Sequence, residues 1–250
     1  MIRTLGIIKG TLLTPKQRRS LARRLGGKTV LEWVVRLMTD SELLDGVVVV
    51  SDDGEDGALI RRHIQADVPV ISSYAADTWG CLVDVLEMFP ADNCLFIGAD
   101  WPFVDPTLID KLIRAAEMET DCDYAAYQFM NEIFSAGRPY GLFPEWYRVE
   151  ALFTANSEAS NNLHRHLPGS FFLDHQGKYH VELLPAPPGL DRKDVRLTCD
   201  LDDDWENILT LYDALGAGAC EWEKLSDLLD NQPHLRRRVA KLNQEMAVVQ

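Results

Sequence analysis

A chain of 250 residues with 46% hydrophobic residues is long enough for one large domain with a real core, which excludes a disordered chain. Its net charge of −14 argues against nonspecific binding to nucleic acid or to an acidic membrane surface, and no apolar run approaches the roughly 18 residues of a membrane span. The opening lacks the long apolar stretch and cleavage site of a signal peptide, and five scattered cysteines without C-x-x-C spacing fit reduced thiols in the cytoplasm rather than a cysteine zinc site.

Taken in chain order, hydrophobic periodicity predicts alternating elements. Thr4 to Ile8 reads as a short buried strand. Residues 9–28 are polar and basic, end in Gly26-Gly27, and read as a long loop. Val30 to Met38 has helical spacing. Val47 to Val50 is a β-branched strand running into the turn Ser51-Asp52-Asp53-Gly54. A helix follows over Ala58 to Ile64, a strand over Val68 to Ile71, and a helix over Leu82 to Met88. Cys94 to Ile97 is a fourth strand ending at Gly98-Ala99-Asp100, before a helix over Pro106 to Met118 with Asp105 as N-cap. Four strand–helix alternations imply right-handed crossovers and a mostly parallel sheet, with the strands ending near Ile8, Val50, Ile71 and Ile97 side by side.

The second half is less regular. Asp123 to Gln128, Val181 to Leu184 and Val195 to Thr198 read as strands. Trp205 to Leu215 is an amphipathic helix; Trp222 to Leu229 and Leu235 to Met246 are closing helices around Pro233. The tryptophans and methionines sit at helical spacing and are assigned to the core. The division predicted is a main domain over 1–218 and a helical extension over 219–250.

Charge is unevenly spread. Residues 1–36 hold nine Lys/Arg against one acid, Glu32, a net +8 that leaves −22 on the rest. A local basic patch on an acidic protein suits a small polyanion; a solvated helix face is the blander reading. Ligands of parallel sheets bind beyond the strands' carboxyl ends, and three groups of acids fall there: Asp52 and Asp53, then Asp100, then Asp200 with Asp202, Asp203 and Asp204. Hard carboxylate oxygens suit Mg²⁺, which takes one or two of them plus substrate phosphates. Asp52 and Asp53 read by default as turn residues, and Asp202 to Asp204 as the N-cap region of the Trp205 helix, where the dipole favours acids.

Ala22-Arg-Arg-Leu-Gly-Gly27-Lys28-Thr29 nearly spells a phosphate-binding P-loop. Such a loop needs a buried strand before it, and Lys16 to Leu21 is too polar to be one. A P-loop NTPase is therefore the minor alternative. The dinucleotide fingerprint G-x-G-x-x-G and the serine elbow G-x-S-x-G are absent. The pair His164-x-His166 is read as a polar surface feature rather than a metal site.

The motifs together resemble the SpsF-type cytidylyltransferases, relatives of the acylneuraminate and 3-deoxy-manno-octulosonate cytidylyltransferases. Gly26-Gly27-Lys28 looks like that family's second G-G-K, Gly98-Ala99-Asp100-Trp-Pro102 like its G-D-x-P, and Asp123-Tyr124-Ala125 like its D-Y-A. Arg196-Leu-Thr-Cys-Asp200 looks like its R-x-T-V-D. The resemblance spans nearly the whole chain. It implies a three-layer α/β/α nucleotide-diphospho-sugar transferase fold of GT-A-like type. It further implies transfer of CMP from CTP to a sugar acid, with pyrophosphate released, in nucleotide-sugar or surface polysaccharide biosynthesis. Asp100 and Asp200 would hold Mg²⁺, with Lys16, Arg19 and Asp100 as the catalytic set. Lys9, Lys16, Arg18, Arg19 and Lys28 would contact the nucleotide, and a homodimer is compatible with the reading. The sequence departs from the family in its phosphate loop: the expected glycines are missing from Leu12 to Ser20, where Leu12, Leu13 and Pro15 stand instead. Glycine there lets backbone N–H groups approach the phosphates, so a degenerate, non-catalytic nucleotide- or sugar-binding protein is the main alternative.

Overall fold

The structure, a computed structural model, describes residues 2–11, 13–64, 67–129, 141–192, 194–199, 202–216 and 221–247. The elements run β1 (Ile2–Gly10), α1 (Pro15–Leu21), β2 (Arg24–Leu25), β3 (Lys28–Thr29), α2 (Val30–Thr39), β4 (Gly46–Ser51), α3 (Glu55–Arg62), β5 (Val70–Ser72), α4 (Thr78–Met88), β6 (Ala91–Gly98) and α5 (Pro106–Met118). They continue with β7 (Tyr124–Gln128), β8 (Glu145–Arg148), α6 (Val149–Asn156), α7 (Asn162–His166), α8 (Pro168–Asp174) and β9 (Val181–Pro185). The helices α9 (Asp202–Leu215), α10 (Trp222–Asn231) and α11 (Pro233–Ala247) close the chain.

Seven strands form one sheet in the order β5-β4-β1-β6-β8-β7-β9. The predicted parallel set is present: β1 pairs in parallel with β4 and β6, and β4 with β5. Only β8 runs against its neighbours, β6 and β7. Strand alternation sends side chains to two faces. On one face Ile8, Val49, Leu95, Ile97 and Trp146 pack with α2 and α5, and with Leu225, Leu229, Leu235 and Val239 from the last two helices. On the other, Leu5, Ile7, Val48, Val50, Tyr124 and Tyr147 pack with Trp79, Leu82 and Val85 of α4 and with Phe171 and Phe172 of α8. The result is the expected three-layer α/β/α fold. Each large apolar side chain buried in this way contributes about 1.5–3 kcal/mol.

Helix ends follow their sequence signals. Thr29 and Glu32 form a reciprocal capping box at the start of α2, and Asp105 caps α5 through the Thr107 N–H at 2.7 Å. The Asp105 carboxylate also accepts the Trp222 N–H at 2.9 Å, which fixes the entry of α10 to the β6–α5 connection.

Three sequence expectations need correction. The stretch 9–28 is not a long loop: β1 extends to Gly10, α1 covers Pro15–Leu21, and β2 and β3 form a hairpin. Thr14 and Gln17 make a capping box that starts α1, and burial of Ser20 and Leu21 anchors its end. Val195 to Thr198 is buried but pairs as no strand among the described residues. Met88 and Met118 are not core residues, being 60% and 82% exposed. Trp79 and Trp146 are fully buried, as expected.

Candidate active site at the carboxyl edge of the sheet

The strand order reverses at β1. The chain moves from β1 outward to β4 and β5, then crosses back to β6 on the other side of β1. Such a reversal leaves a crevice beyond the carboxyl ends of the strands. Lys9 stands opposite Gly98 in the β1–β6 register and opposite Val50 in the β1–β4 register. Asp52 follows Val50 by two residues and Asp100 follows Gly98 by two, so the ends of three adjacent strands bring one lysine and two aspartates to the same crevice.

Lys9 points to the α4 face and donates from Nζ to the Thr78 hydroxyl at 3.0 Å. Burial pushes its ammonium below the ordinary lysine value, while Cys81, Asp100 and Asp52 act in the opposite direction. The start of α4 beneath it is braced. Asp77 accepts the Gly80 N–H at 2.8 Å and two bonds from Arg165 at 2.8 and 2.9 Å. Burial works against ionisation of Asp77, but Arg165 and the Gly80 N–H together hold it below the usual carboxylate range.

Asp100 is buried, at 7% exposure, and accepts a 2.5 Å hydrogen bond from the Thr198 hydroxyl. Its backbone carbonyl accepts the Cys199 N–H at 3.0 Å. Gly98 is required by this arrangement: a Cβ there would lie 2.4 Å from Asp100 Oδ1 and 2.7 Å from Trp101 Nε1. The predicted partner Asp200 lies outside the described residues. The described residue before it, Cys199, is the one bonded to the Asp100 backbone. Among the described residues no group of three or more His, Cys, Asp or Glu is placed to hold a metal. One hard carboxylate oxygen from Asp100, with substrate phosphates, still fits the way Mg²⁺ is bound.

The predicted basic residues divide. Arg18 reaches Asp52 at 3.7 Å, with both side chains partly exposed, a contact worth little by itself. Arg19, on the same helix, is exposed to solvent. The Lys16 side chain lies outside the described residues. Lys28 is on the β2–β3 hairpin. That hairpin packs on α9: a Cβ at Gly26 would lie 1.8 Å from the Tyr212 hydroxyl, and both Gly26 and Gly27 have positive φ.

The P-loop alternative fails on this geometry. The two glycines turn a hairpin rather than wrapping an anion, and the Thr29 hydroxyl accepts the Glu32 N–H as a helix cap. His164 donates from Nε2 to Asp174 and accepts from the Asn161 amide beside Phe171; it is buried rather than the surface residue expected, whereas His166 is exposed. Asp202 to Asp204 lie within α9 as its acidic first turn rather than ahead of it as caps, and two of them have partners the sequence did not show. Asp202 pairs with Arg23 at 2.9 Å, and Arg23 also lies over the Trp205 ring at 5.2 Å. Asp204 pairs with Arg196. Asp52 stands in the sequence as a strand-end acid read by default as a turn residue; the β1–β4 register is what carries it to the crevice.

The family model for the MobA-like NTP transferase domain matches residues 17–176. The spore coat polysaccharide biosynthesis protein SpsF of Bacillus subtilis is 24% identical over 216 residues, covering 84% of this chain and 86% of that protein. A cytidylyltransferase from Leptospira borgpetersenii superposes with a TM-score of 0.80 at 15% identity, covering 94% of this chain and 97% of the other. A CMP:2-keto-3-deoxy-manno-octonic acid synthetase complexed with CTP superposes with a TM-score of 0.67 at 12% identity, covering 85% and 99%. At these identities the superpositions establish a shared nucleotide-diphospho-sugar transferase fold. The family model spans more than half of the sequence, and the chain belongs to the MobA-like NTP transferase family.

Proposed function

We propose that the chain transfers CMP from CTP to a hydroxyl of a sugar acid. The hydroxyl oxygen attacks the α-phosphorus, its proton passes to solvent water, and the bond from that phosphorus to the bridging oxygen breaks to release pyrophosphate. The observation that carries the reading is the placement of Lys9, Asp52 and Asp100 on three adjacent strand ends at the reversal of strand order. Asp100, with Asp200, would hold Mg²⁺, which neutralises phosphate charge and polarises the reacting phosphorus. Lys16 and Arg19 would steady the triphosphate, with Lys9, Arg18 and Lys28 as further nucleotide contacts. In-line transfer of this kind needs positioning and charge neutralisation more than covalent chemistry. Bacillus SpsF, by its name a polysaccharide biosynthesis protein, supports a place in nucleotide-sugar supply for a surface polysaccharide. We assign the protein to the cytoplasm, where CTP is found; no described helix is long and apolar enough to cross a membrane.

One observation favours a second reading, a nucleotide- or sugar-binding protein without turnover. At the start of α1 the Gln17 N–H bonds to the Thr14 hydroxyl, the Thr14 N–H to the Gln17 side chain, and the Arg18 N–H to the Thr14 carbonyl. Pro15 has no N–H. These backbone donors are occupied internally rather than left for a phosphate.

The test is a melting-temperature series with CTP, ATP, GTP and UTP, each with Mg²⁺, followed by a pyrophosphate-release assay on a panel of nonulosonic and octulosonic acids. CTP should raise the melting temperature most, and turnover should vanish in Asp100→Asn. No shift with any nucleotide would overturn the transferase reading and leave, of the second, only a sugar-binding protein. A CTP shift without turnover across the panel would favour the binding protein.

A further inference from the structure

Tyr74 is 80% exposed, one of the most exposed large hydrophobic residues described. It is not loosely held. Its hydroxyl donates to Asp53 Oδ2 at 2.6 Å. Ser73, just before it, donates its N–H to the Ser51 carbonyl at 3.0 Å, which extends the β4–β5 pairing to the root of the tyrosine. Ser72 accepts a hydrogen bond from Arg61 at 2.6 Å. An aromatic ring is thus fixed across the carboxyl ends of β4 and β5 and presented to solvent. Tyr74 makes no ring contact among the described residues, so core packing does not explain it.

Position gives the ring a use. Adjacent strands lie about 4.8 Å apart, so β5, two strands from β1, is about 10 Å from the Lys9 end of the crevice. A nucleotide whose phosphates lie at Lys9 and Asp100 spans that distance with its ribose and places its base at the β4–β5 edge. Base–aromatic stacking needs an exposed ring face, and a ring already held in place loses less freedom on binding. We propose that Tyr74 is the stacking platform for the nucleobase and that Asp53 is the positioning residue that holds the ring in place. The inference rests on the nucleotide-binding reading given above. Asp53 suits its part: the hydrogen bonds from Tyr74 and from the Gly54 backbone hold it below the usual carboxylate range, so it stays an acceptor across neutral pH.

The experiment uses calorimetry on the full chain with two probes, CTP and inorganic tripolyphosphate, both with Mg²⁺. Tyr74 is exposed, so Tyr74→Ala should fold normally; far-UV circular dichroism and the melting temperature verify this. The expected result is roughly tenfold weaker CTP binding in Tyr74→Ala, with tripolyphosphate affinity unchanged. Tyr74→Phe keeps the ring and should retain most of the affinity. Asp53→Ala should lose an intermediate amount for CTP alone. Equal CTP affinity in wild type and Tyr74→Ala overturns the inference and leaves the nucleotide reading standing. Equal weakening of both probes also overturns it, because the residue then acts through the phosphates or the fold. A wild-type protein that binds tripolyphosphate as tightly as CTP has no base platform, and one that binds neither refutes the nucleotide reading itself.

Discussion

Arg196 and Asp204 form a two-point ion pair, with bonds of 2.7 and 2.9 Å, and neither side chain reaches solvent. The pair joins the buried segment that precedes position 200 to the first turn of α9. Removing one partner leaves a charge stranded in the interior, which costs about 3–5 kcal/mol. Arg196→Met is expected to destabilise the protein by that amount in urea unfolding. Arg196→Met with Asp204→Leu should recover much of the loss, because two matched apolar groups need no counter-charge. Equal stability of the single and double variants would show that the pair contributes little beyond its volume.

Gly98 allows a prediction about the crevice itself. A methyl at this position would lie 2.4 Å from Asp100 Oδ1 and 2.7 Å from the Trp101 indole nitrogen, closer than either can tolerate. Gly98→Ala should therefore displace the Asp100 carboxylate while leaving the sheet intact. The expected outcome is a native circular dichroism spectrum with a reduced Mg²⁺-dependent CTP melting shift. An unchanged shift would mean that Asp100 is not at the nucleotide site.

The parts of this site differ in how far they could be read from sequence. Asp105-Pro106 marks the start of α5 without ambiguity, and the run Val47 to Val50 marks a buried strand, because both signals are local. Helix α1 was missed because Pro15 to Leu21 carries charge on every side and no apolar stripe; its one signal was Thr14 followed three residues later by Gln17. Strand β8 was missed because it is four residues long with a charge at each end, and it is held only by pairing with β6 and β7. Val195 to Thr198 looks like a strand because burial selects the same apolar residues, yet Gly141 packs against its backbone, within 2.7 Å of a would-be Cβ. The acids at the crevice were visible as strand-end residues. Their grouping depends on strand order, which no local signal carries.

Glu145 supplies a pH dependence. It accepts hydrogen bonds from the hydroxyls of Tyr124, at 3.1 Å, and Tyr147, and Gly169 covers it closely enough that a Cβ would approach within 2.6 Å. Burial raises its pKa, with the two tyrosine hydrogen bonds opposing. An acid whose folded value lies above its unfolded value costs stability when ionised. The cost is absent below the ordinary carboxylate value, grows as pH rises past it, and is complete above the raised folded value. Glu145→Gln should match wild type in stability at about pH 4 and exceed it increasingly toward neutral pH, as read from urea midpoints. A gap that narrows with rising pH would reverse the assignment.

The basic patch makes a prediction that salt can test. Arg19 is exposed, so Lys16→Ala with Arg19→Ala should leave the fold intact. If these side chains hold phosphates, CTP affinity falls in the double variant, and the difference from wild type shrinks as ionic strength rises and the Debye length drops below about 8 Å. Calorimetry at two salt concentrations reads both effects. Unchanged affinity at low salt would reduce the patch to a solvated helix face.

The last prediction separates an enzyme from a relic. A phosphate loop works by aiming free backbone N–H groups at the anion, and here the N–H groups of Thr14, Gln17 and Arg18 are taken up within the α1 cap. A phosphate displaced by about 1 Å can lower the rate on the order of a hundredfold. The native protein should therefore turn over CTP slowly, whatever the acceptor sugar. Thr14→Gly with Pro15→Gly removes the capping hydroxyl and restores a donor at position 15. The variant should lose about 1 kcal/mol of stability from the lost cap. It should also bind CTP more tightly, and release pyrophosphate faster with any acid of the panel that the native protein uses. Tighter binding without faster release would show that phosphate contact alone does not limit the chemistry. Fast turnover in the native protein, abolished in Asp100→Asn, would show that basic side chains on α1 replace the glycine loop outright, and the binding-protein reading would then be wrong.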